Sequence, residues 1–329
     1  LFEQLAMRRL VEAHELHRRA IKGGSAVAWH RLRIGIKRLR YAVENFLPDV
    51  HRRWARDLNT LQDALGDVHD LDVLWDELSR ARLLEDPATR ATWRQRIDQV
   101  REQRLATYRQ LMVGPGSRWQ RWEALLLQPP RVARAALASI AAWGEQHGSD
   151  PARSAWLGER STALLDLAAA LAPRPPGDLT RLGTLAAAAA CLHGLAGRGK
   201  RGRVFRSARK LPVALGWSSR QRDLCALAVA DSGRRRSRVG SVGVHPRLSA
   251  DEQRCVEWVA AALGTCSALA GPGDPLPTIT LTAAAGELRL ATDGAPARGV
   301  ERQLKRLRKA LGVPVELAQA APAGIAANP

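Results

Sequence analysis

Tyrosine and phenylalanine are nearly missing from this chain, at two and three residues of 329. Proteins that read single-stranded nucleic acid stack bases on such rings, so the shortage counts against base readout, although ten tryptophans are present. The four cysteines, Cys191, Cys225, Cys255 and Cys266, stand in Ala/Leu-rich helical text with no CxxC pair and no zinc spacing. Buried, reduced thiols are expected. No apolar run reaches the roughly 20 residues of a membrane-spanning helix; the Ala-rich piece at 185–195 is about half as long. A Gly-rich phosphate loop is absent as well. The chain opens on Leu1 and not on Met, which leaves room for an upstream segment or a removed leader; a cytoplasmic location is the expectation.

What is abundant is positive charge. Lys and Arg number 51 against 32 Asp and Glu, a formal net charge of +19, and such an excess points to a polyanionic partner. Single cores stop growing at roughly 250–300 residues, so two domains are expected.

The fold class reads as mainly α. Residues 1–128 form long helical segments broken at Gly23-Gly24, at Pro48, near Asp86-Pro87 and at "VGPGS" (113–117), which predicts a helical bundle with short turns. Pro129-Pro130 opens a helical connector, 129–177, punctuated by "PRPPG". Residues 178–317 stay helical to about Ala270; "TITLT" (278–282) and "GELRLAT" (286–292) then alternate as a β-hairpin. A cationic amphipathic helix follows at 300–311, with a further short strand at "VPVEL" (313–317). The small-residue tail 318–329 is expected to be disordered.

The charge is densest in "WHRLRIGIKRLRYAVENF" (29–46). At about 100° per residue, Leu32, Ile36, Leu39, Val43 and Phe46 share one stripe, the expected core contact. His30, Arg33, Lys37 and Tyr41 line the opposite side, with Arg40 at one edge and Arg31 and Arg38 at the other. Glu44 follows Arg40 by four residues and can pair with it. No acid interrupts the face between His30 and Glu44. Like charges at such spacings oppose a helix by about 0.2–0.5 kcal/mol each, so a solvated polar face is a poorer explanation than a ligand that offsets the repulsion.

This helix, followed by "LNTLQDALGDVHDLDVL" (58–74), resembles the CHAD family, the conserved-histidine α-helical domain, whose signature His-x-x-Arg-x-x-x-Lys-Arg-x-Arg-Tyr is matched by His30, Arg33, Lys37, Arg38, Arg40 and Tyr41. The resemblance implies a helical-bundle module that binds inorganic polyphosphate through a basic surface. Its implied contacts are His30, Arg31, Arg33, Lys37, Arg38, Arg40 and Tyr41; Arg18 and Lys22 on the preceding helix and the later cluster of Lys200, Arg201 and Arg203 are candidates, read from the sequence itself, for additional basic surface. His30 fits an anion donor or a structural hydrogen-bonder; Tyr41 fits a hydroxyl donor or a packing ring. Full CHAD domains carry two basic helices where one is found here, so an absent half or a homodimer would supply the second.

A second resemblance lies in "LGTLAAAAACLHGLAGRGK", "VFRSARKLPVALGWSSRQRDLCALAVADSGRRR", "HPRLSADEQRCVEWVAAAL", the hairpin and "VERQLKRLRKALGVPVEL". In order and spacing these look like the C-terminal HD-like domain of the exopolyphosphatase/guanosine pentaphosphatase family. The His-Asp pair that holds a metal in such sites reads His193-Gly194, and "ADSGRRR" (230–236) lacks the later histidine. One imidazole without a carboxylate is too few ligands for a hydrolytic metal centre. The expectation is therefore a non-catalytic protein with no metal and no cofactor, a scaffold, targeting or regulatory component of polyphosphate metabolism, associated with polyphosphate granules and not with membrane. General nucleic-acid or polyanion binding, with nucleic acid a weaker competitor for the same charges, is the alternative; residual phosphohydrolase activity around His193 is another.

Overall fold

The structure, a computed structural model, describes residues 2–196, 200–233, 248–271, 275–294 and 299–319. It is 75% helical, with twelve α-helices and a three-stranded sheet near the C-terminus among the described residues. Two compact units, Leu1–Ala136 and Leu137–Pro329, divide the chain.

The first unit holds α1 (Phe2–Gly23), α2 (Ala26–Phe46), α3 (Pro48–Arg80), α4 (Pro87–Met112), α5 (Arg118–Leu126) and the start of α6 (Pro129–Gln146). Local chemistry sets each boundary. Gly24 takes a positive φ of 62° just past α1, where a side chain would be strained. Ser25 then caps α2 by accepting from the Ala28 amide at 3.2 Å. Pro48, whose missing N–H is no loss in a first turn, opens α3. Asp86 accepts from the Thr89 amide at 2.7 Å ahead of Pro87, and Gly114 and Gly116, both at positive φ, turn the chain between α4 and α5.

Packing in this unit is aromatic at its centre. Trp54 stacks on Trp122 at 4.9 Å, Trp119 meets Trp122 edge-on at 5.4 Å, and Trp29 meets Tyr108 edge-on at 5.4 Å. From α2, Leu32, Ile36, Leu39 and Val43 are fully buried, as the periodicity predicts. Phe46 is not: at the last residue of the helix it is 38% exposed and stacks instead on Phe2 at 4.2 Å. At Gly35 an added Cβ would lie 2.8 Å from Leu16 Cδ1, so the glycine lets α1 and α2 approach.

The second unit contains the rest of α6, α7 (Pro151–Leu171), α8 (Leu179–Cys191), a 3-10 turn (His193–Leu195), α9 (Arg201–Ala208), α10 (Ser219–Ser232), α11 (Ala250–Ala270), β1 (Ile279–Ala284), β2 (Glu287–Thr292), α12 (Val300–Leu311) and β3 (Val315–Gln319). Helix is interrupted more often than periodicity alone predicts. Gly148 at φ 87° and Asp150, which accepts from the Arg153 amide at 2.6 Å, separate α6 from α7. Ser218 with Gln221 and Ser249 with Glu252 form capping boxes that start α10 and α11. Nearly every residue of α10 from Leu224 onward and most of α11 are buried. All four cysteines are buried free thiols, and burial pushes the Cys191, Cys255 and Cys266 thiols up to about 11.

The sheet order is β1-β2-β3. β1 and β2 are the expected antiparallel hairpin, joined by Ala285 and Gly286, both at positive φ, the geometry of a two-residue type I′ turn. β3 runs parallel to β2, as Leu288 pairs with Val315 and Thr292 with Gln319, and α12 makes the crossover that a parallel pair requires. Ala318 and Gln319 therefore belong to the sheet and not to the tail, because β2 has partners for them. Residues 320–329 lie outside the described residues. Among the described residues no helix is long and apolar enough to cross a membrane.

Candidate anion-binding face

Two members of the cationic face of α2, Arg40 and His30, reach α3. Arg40 is held at three points: its Nε donates to Glu44 at 3.3 Å, and one terminal nitrogen donates to Asn59 at 3.1 Å and to Gln62. The Glu44 partner follows from helix spacing; the two α3 partners do not. Further along, the Nδ1 atoms of His30 and His69 lie 3.3 Å apart, with ring centroids at 4.6 Å. The partners Arg40 to Asn59 and His30 to His69 run in opposite chain directions, so α2 and α3 are antiparallel. Arg33 and Lys37 accordingly lie opposite the stretch between Gln62 and His69.

That stretch of α3 includes Gly66, where a Cβ would meet nothing within 4 Å. Glycine in a helix interior costs about 1 kcal/mol relative to alanine, and no packing demand accounts for it here. The acids of α3 are mostly engaged away from α2: Asp57 pairs with Arg118 at 3.0 Å, Asp67 with Arg104 at 3.0 Å and Asp72 with Arg101 at 3.1 Å, on α5 and α4. Asp63 and Asp70 are exposed and pair with no α2 cation.

On α2, His30, Arg31, Lys37, Arg38 and Tyr41 are exposed and Arg33 and Arg40 are half-buried. Among the described residues, Arg31, Arg33, Lys37 and Arg38 are in none of the ion pairs, while Lys37 and Arg40 sit 5.7 Å and 5.9 Å from the centroid of the Tyr41 ring. The seven candidate residues thus share one helix and one accessible side. Arg40 is the fixed member, and its neighbours are free to meet a ligand. Arg18 and Lys22 are exposed on α1, whereas Arg9 and Arg19 are drawn to Glu12 and Glu15 on their own helix. His69 carries no role in the sequence reading, because its partner is set by the α2–α3 register and not by any spacing within α2.

In the second unit the basic clusters separate. Lys200 and Arg203 are exposed, but Arg201 turns inward onto Asp231, which is fully buried. On α12, Arg306 is also buried and donates to the Asp231 carbonyl at 2.7 Å. Burial lowers its pKa. Both arginines serve the interior, since a buried carboxylate and helix-end carbonyls need charged or polar partners. Arg234, Arg235, Arg236 and Arg238 lie outside the described residues.

His193 begins the 3-10 turn, and burial foremost, with Arg153 nearby, lowers its pKa to about 4. Its neighbour Gly194 has no room for a side chain: a Cβ would lie 2.7 Å from Ser149 Cα and 2.8 Å from the Gly148 carbonyl oxygen. An aspartate at 194 therefore does not fit this backbone, and Asp231 is already committed to Arg201. Among the described residues no group of three His, Cys, Asp or Glu side chains is placed to hold a metal.

The first unit is thus a helical module carrying an unneutralised cationic helix face. The CHAD domain family model matches it over residues 2–79, which takes in α1, α2 and nearly all of α3. No curated protein and no solved structure matches the chain.

Proposed function

We propose that this protein binds inorganic polyphosphate along the α2 face, and that it acts without catalysis as a scaffold, targeting or regulatory component of polyphosphate metabolism. The observation that carries the reading is the unpaired cationic row of Arg31, Arg33, Lys37 and Arg38 beside the fixed Arg40, within the CHAD-matched segment. CHAD domains are linked to polyphosphate binding, and the chemistry agrees. A flexible polyanion without bases calls for Arg forks and Lys point charges and makes no use of stacking rings. His30 would donate to a phosphoryl oxygen from a ring nitrogen, with His69 as the group that fixes its ring.

The second unit is a relic of an exopolyphosphatase-type HD-like domain on this reading. Support comes from the order of its sequence pieces and from the backbone at Gly194, which leaves no space for the missing carboxylate. Localisation to polyphosphate granules in the cytoplasm and a homodimer that pairs two basic helices follow from the same proposal.

The test replaces Arg33 and Lys37 together by Ala. Affinity for long-chain polyphosphate should fall at least tenfold, while the melting temperature stays level or rises slightly as like-charge repulsion is removed. Unchanged affinity contradicts the proposal. Phosphate release from polyphosphate with Mg²⁺ or Mn²⁺ that disappears in His193→Ala would contradict its non-catalytic part.

A further inference from the structure

Helix α9 and the turn that ends it, through Lys210, divide their cations. Arg201 and Arg209 point to α10, where they pair with Asp231 and with Asp223 at 2.9 Å. Arg203, Ser207 and Lys210 recur at spacings of four and three, so they share another side of the same short segment. Arg203 and Lys210 are exposed and belong to none of the ion pairs among the described residues. With His147, Leu195 and Val204 they line an open cleft of about 260 Å³ within the second unit.

His147 is preset for this cleft. Its ring stacks on Trp143 at a centroid distance of 3.7 Å, and its Nδ1 lies 2.7 Å from the Trp143 carbonyl oxygen. A carbonyl only accepts, so Nδ1 donates to it, and Nε2 is left to accept from a phosphoryl O–H or, in the imidazolium form, to donate to a phosphoryl oxygen. Among the described residues the lining therefore offers a guanidinium, an ammonium, a hydroxyl and an oriented imidazole, and no acid.

We propose that this cleft is a second binding site, for a small phosphoryl anion such as inorganic phosphate, pyrophosphate or the terminal group of a phosphate chain. Several unpaired donors around one concavity suit a compact oxyanion. The volume lies below the roughly 300–1,000 Å³ of sites that enclose whole organic ligands, and among the described residues no Trp, Tyr or Phe lines the cleft to stack a base. The site is independent of the α2 face and of the reading given to it.

The test is calorimetric titration of the full chain with inorganic phosphate, with pyrophosphate and with tripolyphosphate. It uses the wild type, Arg203→Ala/Lys210→Ala, and, as a charge-matched control on exposed lysines of α12, Lys305→Ala/Lys309→Ala. The proposal expects saturable binding of at least one of these anions, weakened at least tenfold in Arg203→Ala/Lys210→Ala and by less than threefold in the control. The three titrants tell a free phosphate or pyrophosphate site from a chain-end site. Equal binding in wild type and Arg203→Ala/Lys210→Ala, or no saturable binding to the wild type at millimolar anion, overturns it. Failure of the α2 proposal leaves this result unchanged, since no residue of α2 lines the cleft.

Discussion

His17 shows how a single buried side chain ties stability to pH. It is 7% exposed and bonds Tyr108 Oη at 2.8 Å. Burial first, then the charges of His14 and Arg18, lower its pKa from 6.5 to about 4. Between those values the unfolded chain holds a proton that the folded one gives up. Stability is therefore full above about pH 6.5 and falls as the pH drops toward 4. His193, shifted the same way, adds to the fall. Urea unfolding at pH 7.5, 6 and 5 should show the midpoint dropping with pH, and His17→Gln should shrink that drop; a midpoint that does not move with pH would contradict this account. Single residues were legible where helix periodicity alone orients them: the seven on the α2 face and the Arg40–Glu44 pair were read from spacing. His69, Arg201 and Arg306 were not, because their partners sit on other helices and the register between helices leaves no mark in one sequence. Arg306 in particular counts as surface charge on a helical wheel, and only the buried end of α10 draws it inward.

At the level of elements, glycine positions make the sharpest forecasts. A Cβ at Gly144 would stand 2.1 Å from the Cys191 carbonyl oxygen, and one at Gly264 would stand 2.3 Å from that of Ser232. Since the obstacle is backbone in both cases, Gly144→Ala and Gly264→Ala should each lower stability by about 1–3 kcal/mol or more, read by denaturant unfolding. Gly66→Ala should act oppositely and raise stability by about 0.5–1 kcal/mol, because the space around Gly66 is open. At the hairpin, Ala285 holds φ 50°, a region costly for an L residue, so Ala285→Gly is expected to stabilise by a similar amount. A fall in melting temperature for either variant would contradict the geometry. Elements were legible where punctuation was dense: Gly24, Pro48, Pro87 and Pro129 each stand at a helix boundary, and the hairpin and α12 match their alternation and periodicity. The breaks ahead of α7, α10 and α11 passed unread although Asp150-Pro151, Ser218 with Gln221 and Ser249 with Glu252 are capping signals. Each signal spans only two to four residues between long helix-forming segments.

For the whole molecule, the positive charge of 51 Lys and Arg residues is not spread as a uniform coat. Part of it neutralises acids between helices, as Arg101, Arg104 and Arg118 do on α3, part is buried around Asp231, and the remainder includes the α2 face. Binding through that remainder releases counterions and should weaken steeply with salt. The measurement that tests the central claim most directly is a titration of labelled long-chain polyphosphate at about physiological salt, where the Debye length is about 8 Å. Unlabelled polyphosphate, duplex DNA and single-stranded RNA compete at equal phosphate concentration. The account predicts tight polyphosphate binding that neither nucleic acid displaces; equal displacement by all three polymers would contradict it and leave the α2 face a general polyanion surface.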